Sequence, residues 1–203
     1  DRQLLLFAED VLSRNPNATI IFDVKSTRHL FQWIKDKGGN PLMWKTGHSL
    51  IKAKMKEENA ALAGEMSGHT FFKERWYGFD DGIYAGVRLL EILSRFDNPS
   101  AVLNSLPNSI NTPELQIKMN EGEPHALIKK LQSEAVFNDA LDVIKVDGLR
   151  VEYEDGFGLM RASNTTPVIV LRFEAKNTIA LERIKESFRS VISKASPTSI
   201  LPF

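Results

Sequence analysis

The sequence predicts an α/β layered domain, with a mixed sheet between helices, followed by a small α+β domain. The second domain is expected to hold a mostly antiparallel four-stranded sheet and two helices. Three observations carry this. In the first half, short β-branched and aromatic runs alternate with segments whose apolar residues recur at helical spacing. In the second half, apolar runs follow one another across turn residues, with only two amphipathic segments between and after them. A polar, proline-bounded stretch at 107–113 separates the halves and places the boundary, giving domains at 1–107 and 108–203.

Taken in order, Leu4, Phe7, Ala8 and Val11 recur as on one helix face, and Asn15-Pro16-Asn17 ends that helix. Residues 19–24 are short and β-rich, a buried strand. Ser26 or Thr27 is placed to cap a helix carrying Leu30, Phe31 and Ile34, which stops at Gly38-Gly39. Residues 41–44 give a second strand and 45–48 a turn; Ser49 then starts a helix with Leu50, Ile51 and Met55 inward. A third strand ends over 60–63 and feeds Glu65. After an aromatic segment through Phe79, Asp80 or Asp81 caps a helix with Ile83, Val87, Leu90 and Leu93. Asn98-Pro99 caps a short helical turn.

Beyond the boundary, 112–118 reads as a strand, and a helix runs from Pro124 to about Gln132 with Leu127, Ile128 and Leu131. Asp147-Gly148 separates two alternating runs, 141–146 and 149–153, a hairpin signature. Gly156-Phe157-Gly158 reads as a second turn, 168–173 as a strand, and 178–192 as a closing amphipathic helix.

Composition excludes several classes of function. Lys+Arg and Asp+Glu are 26 each, so the net charge is zero, whereas a general nucleic-acid binder carries a basic excess. There is no cysteine, which excludes disulfides, thiolate metal ligands and a cysteine nucleophile. No apolar run approaches the roughly 20 residues that span a bilayer. The chain opens on Asp1-Arg2 with no secretory signal and reads as a piece of something longer.

Two polar clusters stand out. Gly64-Glu65-Met66-Ser67-Gly68-His69 puts a carboxylate, a hydroxyl and an imidazole together where an apolar strand runs out. Those side chains suit the hydroxyls of a sugar, although the same residues also make an ordinary turn. Arg161-Ala162-Ser163-Asn164-Thr165-Thr166-Pro167 lies between two strands and offers a guanidinium, three hydroxyls and an amide. A dianionic phosphate takes such a set, a planar fork plus short neutral donors. Lys25 and Lys45 each follow a β run, where active-site residues of α/β sheets gather.

These two clusters, about 95 residues apart, resemble the α-D-phosphohexomutase superfamily, and within it the bacterial phosphomannomutase/phosphoglucomutase group. The likeness extends to Phe22-Asp23-Val24-Lys25-Ser26-Thr27-Arg28, to Trp44-Lys45-Thr46-Gly47-His48-Ser49, and to the run from Phe71 to Gly82. It covers the whole chain, as the third and fourth of that family's four domains. The resemblance implies an isomerase that interconverts hexose 1-phosphate and 6-phosphate through a phosphoserine and a bisphosphorylated sugar. Glu65 and Ser67 are then expected to bind the 3- and 4-hydroxyls, with His69 in support. Arg161, Ser163, Asn164, Thr165 and Thr166 are expected to hold the phosphate that is not transferred. Lys25 is assigned to charge neutralisation, and His48 to phosphate contact or proton transfer.

The same resemblance implies Mg2+ and glucose 1,6-bisphosphate for the full-length enzyme. It further implies glucose 1-phosphate, mannose 1-phosphate and the 6-phosphates as ligands, a monomer, a cytoplasmic location and a role in polysaccharide biosynthesis. The family's nucleophilic Thr-Ala-Ser-His-Asn-Pro segment and its Asp-Gly-Asp-Gly-Asp metal loop have no counterpart here. The chain is therefore expected to bind no metal or cofactor, to hold no catalytic residue of its own beyond supporting Lys25 and His48, and to be inactive alone. The rival reading is a non-catalytic phosphosugar-binding module. A nucleic-acid module on the second sheet is disfavoured by the balanced charge.

Among the remaining residues, His29 and His125 read as surface positions, and Lys52, Lys54 and Lys56 with Glu57 and Glu58 as a solvated helix face. Phe71, Phe72, Trp76, Tyr77 and Phe79 read as packing between layers, with sugar stacking the alternative. Arg172 either reinforces the phosphate loop or pairs structurally.

Overall fold

A computed structural model describes residues 1–203. The chain divides into two compact units, Asp1–Asn108 and Ser109–Phe203.

The first unit contains, in order, α1 (Arg2–Arg14), β1 (Thr19–Asp23), α2 (His29–Asp36), β2 (Asn40–Trp44), α3 (His48–Glu57), β3 (Leu62–Gly64), β4 (Thr70–Phe72), α4 (Gly82–Leu93) and α5 (Pro99–Ser105). The sheet order is β2-β1-β3-β4; β1 is parallel to both β2 and β3, and β4 returns antiparallel to β3. Side chains alternate across this sheet as strand geometry requires. Ile20, Phe22, Leu62 and Phe72 face a core built with α1, α2 and α4. Ile21, Ala63 and Phe71 face the other way, onto Ile51 and Met55 of α3. The mixed sheet between helices is thus present.

Several sequence expectations shift in this unit. α2 starts at His29 with Arg28 at its N-cap; Ser26 Oγ donates to Asp23 at 2.7 Å, while Thr27 Oγ1 accepts a long bond of 3.4 Å from the His29 amide. Asp81, not Asp80, caps α4 by accepting from the Tyr84 amide at 2.9 Å. The apolar stripe of α4 faces outward: Ile83 and Leu90 are 85% and 68% exposed, while Ala85, Arg88 and Ile92 face the core. Leu50 is likewise exposed rather than inward. Lys54 is not solvated; it is buried, paired with Glu57 and Glu58, and lies over the Trp44 ring at 4.5 Å. Phe71 and Phe72 do pack between layers, but Tyr77 and Phe79 are exposed, and Trp76 stacks on Tyr84 at 4.3 Å.

The inward-facing arginine of α4 has a partner that ties two helices together. Asp10 on α1 accepts two bonds from Arg14, at 3.0 and 2.7 Å. It also accepts one from Arg88 at 3.0 Å and one from Arg95 at 2.7 Å. Burial pushes the Asp10 carboxyl upward, but the bonds from Arg14, Arg95 and Arg88 outweigh it and hold the group far below the usual carboxylate range. Arg88 also pairs with Glu74 at 2.8 Å and lies over the Phe72 ring.

The second unit contains β5 (Ile110–Asn111), β6 (Leu115–Lys118), α6 (Glu123–Glu134), β7 (Asp142–Ile144), β8 (Leu149–Tyr153), β9 (Gly156–Ala162), β10 (Val168–Ala175) and α7 (Thr178–Ala195). Its sheet has six strands rather than four, ordered β5-β10-β9-β8-β7 with β6 also on β10, and every pairing is antiparallel. The strand expected over 112–118 begins only at Leu115, after Pro113, which has no amide for the ladder, and the two-residue β5 lies in the stretch read as the boundary. Both helices pack on one face, against Leu149, Val151, Tyr153, Met160, Ile169, Leu171 and Phe173.

The turn falls on Glu154-Asp155, so Gly156 opens β9 and Gly158 lies inside it. A Cβ on Gly158 would stand 2.3 Å from the Phe188 ring of α7, so this glycine admits close helix-to-strand packing. His29 is half-buried and His125 exposed. Arg172 is buried and stands 3.9 Å from Glu174, an ion-pair neighbour.

Candidate functional site

The carboxyl ends of three neighbouring strands, β2, β1 and β3, come to one edge of the first sheet, where α/β sheets present their ligand sites. The residues that follow these strands therefore gather there. Asp23 closes β1, is fully buried, and serves as the common anchor. Its Oδ1 accepts from Ser26 Oγ at 2.7 Å and from the Met66 amide at 3.0 Å, and its Oδ2 accepts from Thr46 Oγ1 at 3.0 Å. One carboxylate thus fixes the loops that carry Lys25, His48 and Glu65.

The loop after β3 is closed on itself by Glu65 N donating to His69 O at 2.9 Å and Gly68 N donating to Glu65 O at 3.0 Å. Glu65 is only 6% exposed. Its Oε1 accepts from the Gly47 amide at 3.2 Å and its Oε2 takes a long contact of 3.4 Å from Ser67 Oγ. Burial, then the nearby Asp23 charge, pushes the Glu65 carboxyl up; the Gly47 amide, His69 and Lys25 pull it back. Lys25 and His69 therefore lie within electrostatic reach of Glu65. His48, the first residue of α3, is exposed. His69 is half exposed, and its Nδ1 lies 2.5 Å from Asp80 Oδ2.

In the second unit the loop after β9 folds around a serine. Ser163 Oγ accepts from the Thr165 amide at 3.3 Å, the Thr166 amide at 3.3 Å and Thr166 Oγ1 at 3.1 Å. Ser163 thus closes the loop on itself as Ser and Thr hydroxyls do in turns. Ser163, Asn164, Thr165 and Thr166 line a cavity of about 100 Å3 whose other wall is Glu121, Gly122, Pro124 and His125 at the start of α6. A larger cavity of about 870 Å3 lies elsewhere in this unit, against the C-terminal tail, and contains none of these loop residues.

Arg161 stands apart from its four neighbours. Its side chain is buried, and its Nε donates to Asp147 Oδ2 at 2.9 Å. The structure thus brings Ser163 to Thr166 together and turns Arg161 toward the β7–β8 turn. No group of three or more His, Asp or Glu side chains is placed to hold a metal ion.

Family models match nearly all of this architecture. Residues 1–110 match "Phosphoglucomutase/phosphomannomutase, alpha/beta/alpha domain III" and residues 114–191 match "Phosphoglucomutase/phosphomannomutase, C-terminal domain". The chain belongs to the phosphoglucomutase/phosphomannomutase family. It is 63% identical over its whole length to a phosphoglucomutase of Neisseria meningitidis, of which it covers 44%. It is 56% identical over 204 aligned residues to a phosphomannomutase/phosphoglucomutase of Pseudomonas aeruginosa, again covering 44% of that protein. A crystal structure of a Burkholderia thailandensis member of the family superposes with a TM-score of 0.94 at 62% identity, over all of this chain and 43% of that one. The chain thus spans less than half the length of these relatives and corresponds to their C-terminal half.

Three residues of this phosphoglucomutase/phosphomannomutase half escaped the sequence reading. Asp23 is legible only as part of a resemblance, although a carboxylate directly after the apolar run Ile20 to Phe22 is itself a signal, since such a group needs several donors. Asp80 reads in sequence as a possible helix cap beside Asp81, yet it bonds His69. Asp147 was read only as a turn former. No helix of the chain is long and apolar enough to cross a membrane.

Proposed function

We propose that this chain is the substrate-recognition half of a phosphohexomutase that interconverts the 1- and 6-phosphates of glucose and mannose. The observation that carries the reading is Glu65, a buried carboxylate at the strand ends whose Oε2 has only a long contact to Ser67. A buried carboxylate in that state accepts strongly from a donor that completes its shell. Sugar hydroxyls are such donors. Glu65 and Ser67 bind the 3- and 4-hydroxyls, and since glucose and mannose differ at carbon 2, both sugars are accepted. His69 supports this contact.

The phosphate that is not transferred is held by the loop of Ser163, Asn164, Thr165 and Thr166, which line one cavity, with Arg161 adding charge. Lys25 neutralises the other phosphate, and His48 contacts it or moves a proton. The phosphoserine comes from the part of the relatives that this chain does not span. The sugar passes through a bisphosphorylated intermediate and is bound again in the reversed orientation by the same hydroxyl contacts.

Calorimetric titration of the chain with glucose 1-phosphate and mannose 1-phosphate tests this. Binding of both sugars that is lost in Glu65→Ala supports the reading. Binding indifferent to Glu65 contradicts it, and mutase turnover by the chain alone contradicts the division of labour.

A further inference from the structure

The Asp147-Gly148 turn between β7 and β8 has a second task besides closing a hairpin. Gly148 has φ +85°, and a Cβ there would come 2.3 Å from the Met160 carbonyl oxygen and 2.7 Å from Arg161 Cα. The turn therefore lies flush on β9 at the residue that bears the guanidinium, which only glycine permits. It is also fixed from behind. Gln132 of α6 donates from Nε2 to the carbonyls of Gly148 at 2.8 Å and Lys145 at 3.3 Å, and Lys145 Nζ donates to the Gln132 carbonyl at 2.5 Å.

This anchored turn presents Asp147 to Arg161. Asp147 Oδ2 accepts from Arg161 Nε at 2.9 Å, with the two side chains 15% and 5% exposed. One bond at Nε fixes the plane of a guanidinium but uses only one of its five donors. Arg161 Nη2 is buried and has no hydrogen-bond partner. Buried donors are almost always satisfied in folded proteins, so an unpartnered one calls for a partner, and a bound anion is one that suits a guanidinium.

We propose that Asp147 is a positioning residue: it holds the Arg161 guanidinium by Nε so that its Nη2 donor is kept for the phosphate of the sugar. The proposal rests on Arg161 being a phosphate ligand, as in the function proposed above. Asp147 does not touch the substrate. It sets the direction of a fork whose value lies in planar, two-point contact with phosphate oxygens.

The test is steady-state kinetics of the full-length mutase with glucose 1-phosphate, using Asp147→Ala, Asp147→Asn, Arg161→Ala and the double variant. Arg161→Ala is expected to raise KM about 100-fold, and Asp147→Ala about tenfold with kcat changed by about twofold or less. Asp147→Asn, which keeps an acceptor oxygen, recovers most of the loss. The double variant is no worse than Arg161→Ala alone, because Asp147 acts only through that side chain. If Asp147→Ala does not fold, Asp147→Glu carries the test: the charge is kept, the oxygens are displaced by one methylene, and KM is again expected to rise. A KM at the wild-type value in the Asp147 variants, alongside a raised KM in Arg161→Ala, overturns the positioning role and leaves the phosphate site standing. Additive effects in the double variant overturn it as well. An unchanged KM in Arg161→Ala overturns the phosphate site itself.

Discussion

His69 Nδ1 and Asp80 Oδ2 lie 2.5 Å apart at the end of the loop from Gly64 to His69. A carboxylate on one ring nitrogen fixes which nitrogen carries the proton and leaves the other to face outward. β4 and the segment that follows it supply the geometry, since Phe71 bridges to Asp80 in antiparallel fashion.

Asp80→Asn is therefore expected to change the tautomer of His69 without unfolding the chain. Nitrogen-15 spectra of the imidazole should show Nδ1 protonated and Nε2 as the acceptor in the wild type, and a mixture in the variant. In the full-length mutase kcat should fall about tenfold. An unchanged tautomer makes the Asp80 contact incidental.

Asp10 governs the acid stability of the first unit. Its carboxyl is held far below the usual range in the folded state, so its contribution is fully present above about pH 4, the unfolded value, and is lost as pH falls toward the folded one. Glu74, lowered chiefly by Arg14 against the effect of burial, acts in the same sense. Asp10→Ala leaves Arg88 buried with part of its partner set gone, at a cost of about 3–5 kcal/mol. Denaturant titrations of wild type and variant at neutral pH and at pH 3 should converge as the pH drops.

Glu65 shows the opposite sign. Its carboxyl is raised, chiefly by burial, so the charged form burdens the folded state, and stability falls as pH rises past the unfolded value near 4.3. Glu65→Gln keeps the shape and an acceptor for the Gly47 amide. It should leave stability at pH 7 equal or higher, by about 1 kcal/mol at most, with the difference vanishing toward pH 4. Ligand affinity should fall in the same variant. Thermal melts against pH give the first result and titration the second; a variant clearly less stable at pH 7 makes Glu65 structural.

Gly158→Ala tests the packing of α7 on β9. A methyl group there meets the Phe188 ring at 2.3 Å, and overpacking of this kind costs about 1–3 kcal/mol. If melts match the wild type, the ring moves aside freely.

Much of the first unit was legible because its strands and helices differ in period, and the α/β alternation needs no tertiary information. The outward stripe of α4 was not, because Ile83, Val87 and Leu90 are as regularly spaced as a core face while the true core face carries Arg88. Its pairing with Asp10 and Glu74, from other segments, and its stacking on Phe72 make that arginine a core residue. In the second unit, Gly156 and Gly158 have the residue type of turn formers; the reason for Gly158 is the Phe188 ring of a later helix, and for Gly156 the backbone of β10 and Ile184. Of the candidate site, the loops of Glu65 and Ser163 were legible because their polar residues are contiguous. Asp80 and Asp147 were not, since each acts on a residue from a different segment and carries no local mark; Asp23 carries one, a carboxylate ending an apolar run, but its partners Thr46 and Met66 come from other loops.

The most direct test is the kinetics of Glu65→Ala in the full-length mutase, with glucose 1-phosphate and mannose 1-phosphate run side by side. A hydrogen-bonded carboxylate that holds the 3- and 4-hydroxyls should, when removed, lower kcat/KM for both sugars together by about 10- to 100-fold. An unchanged kcat/KM, or a loss confined to one of the two sugars, would contradict the placement of the sugar against the loop from Gly64 to His69.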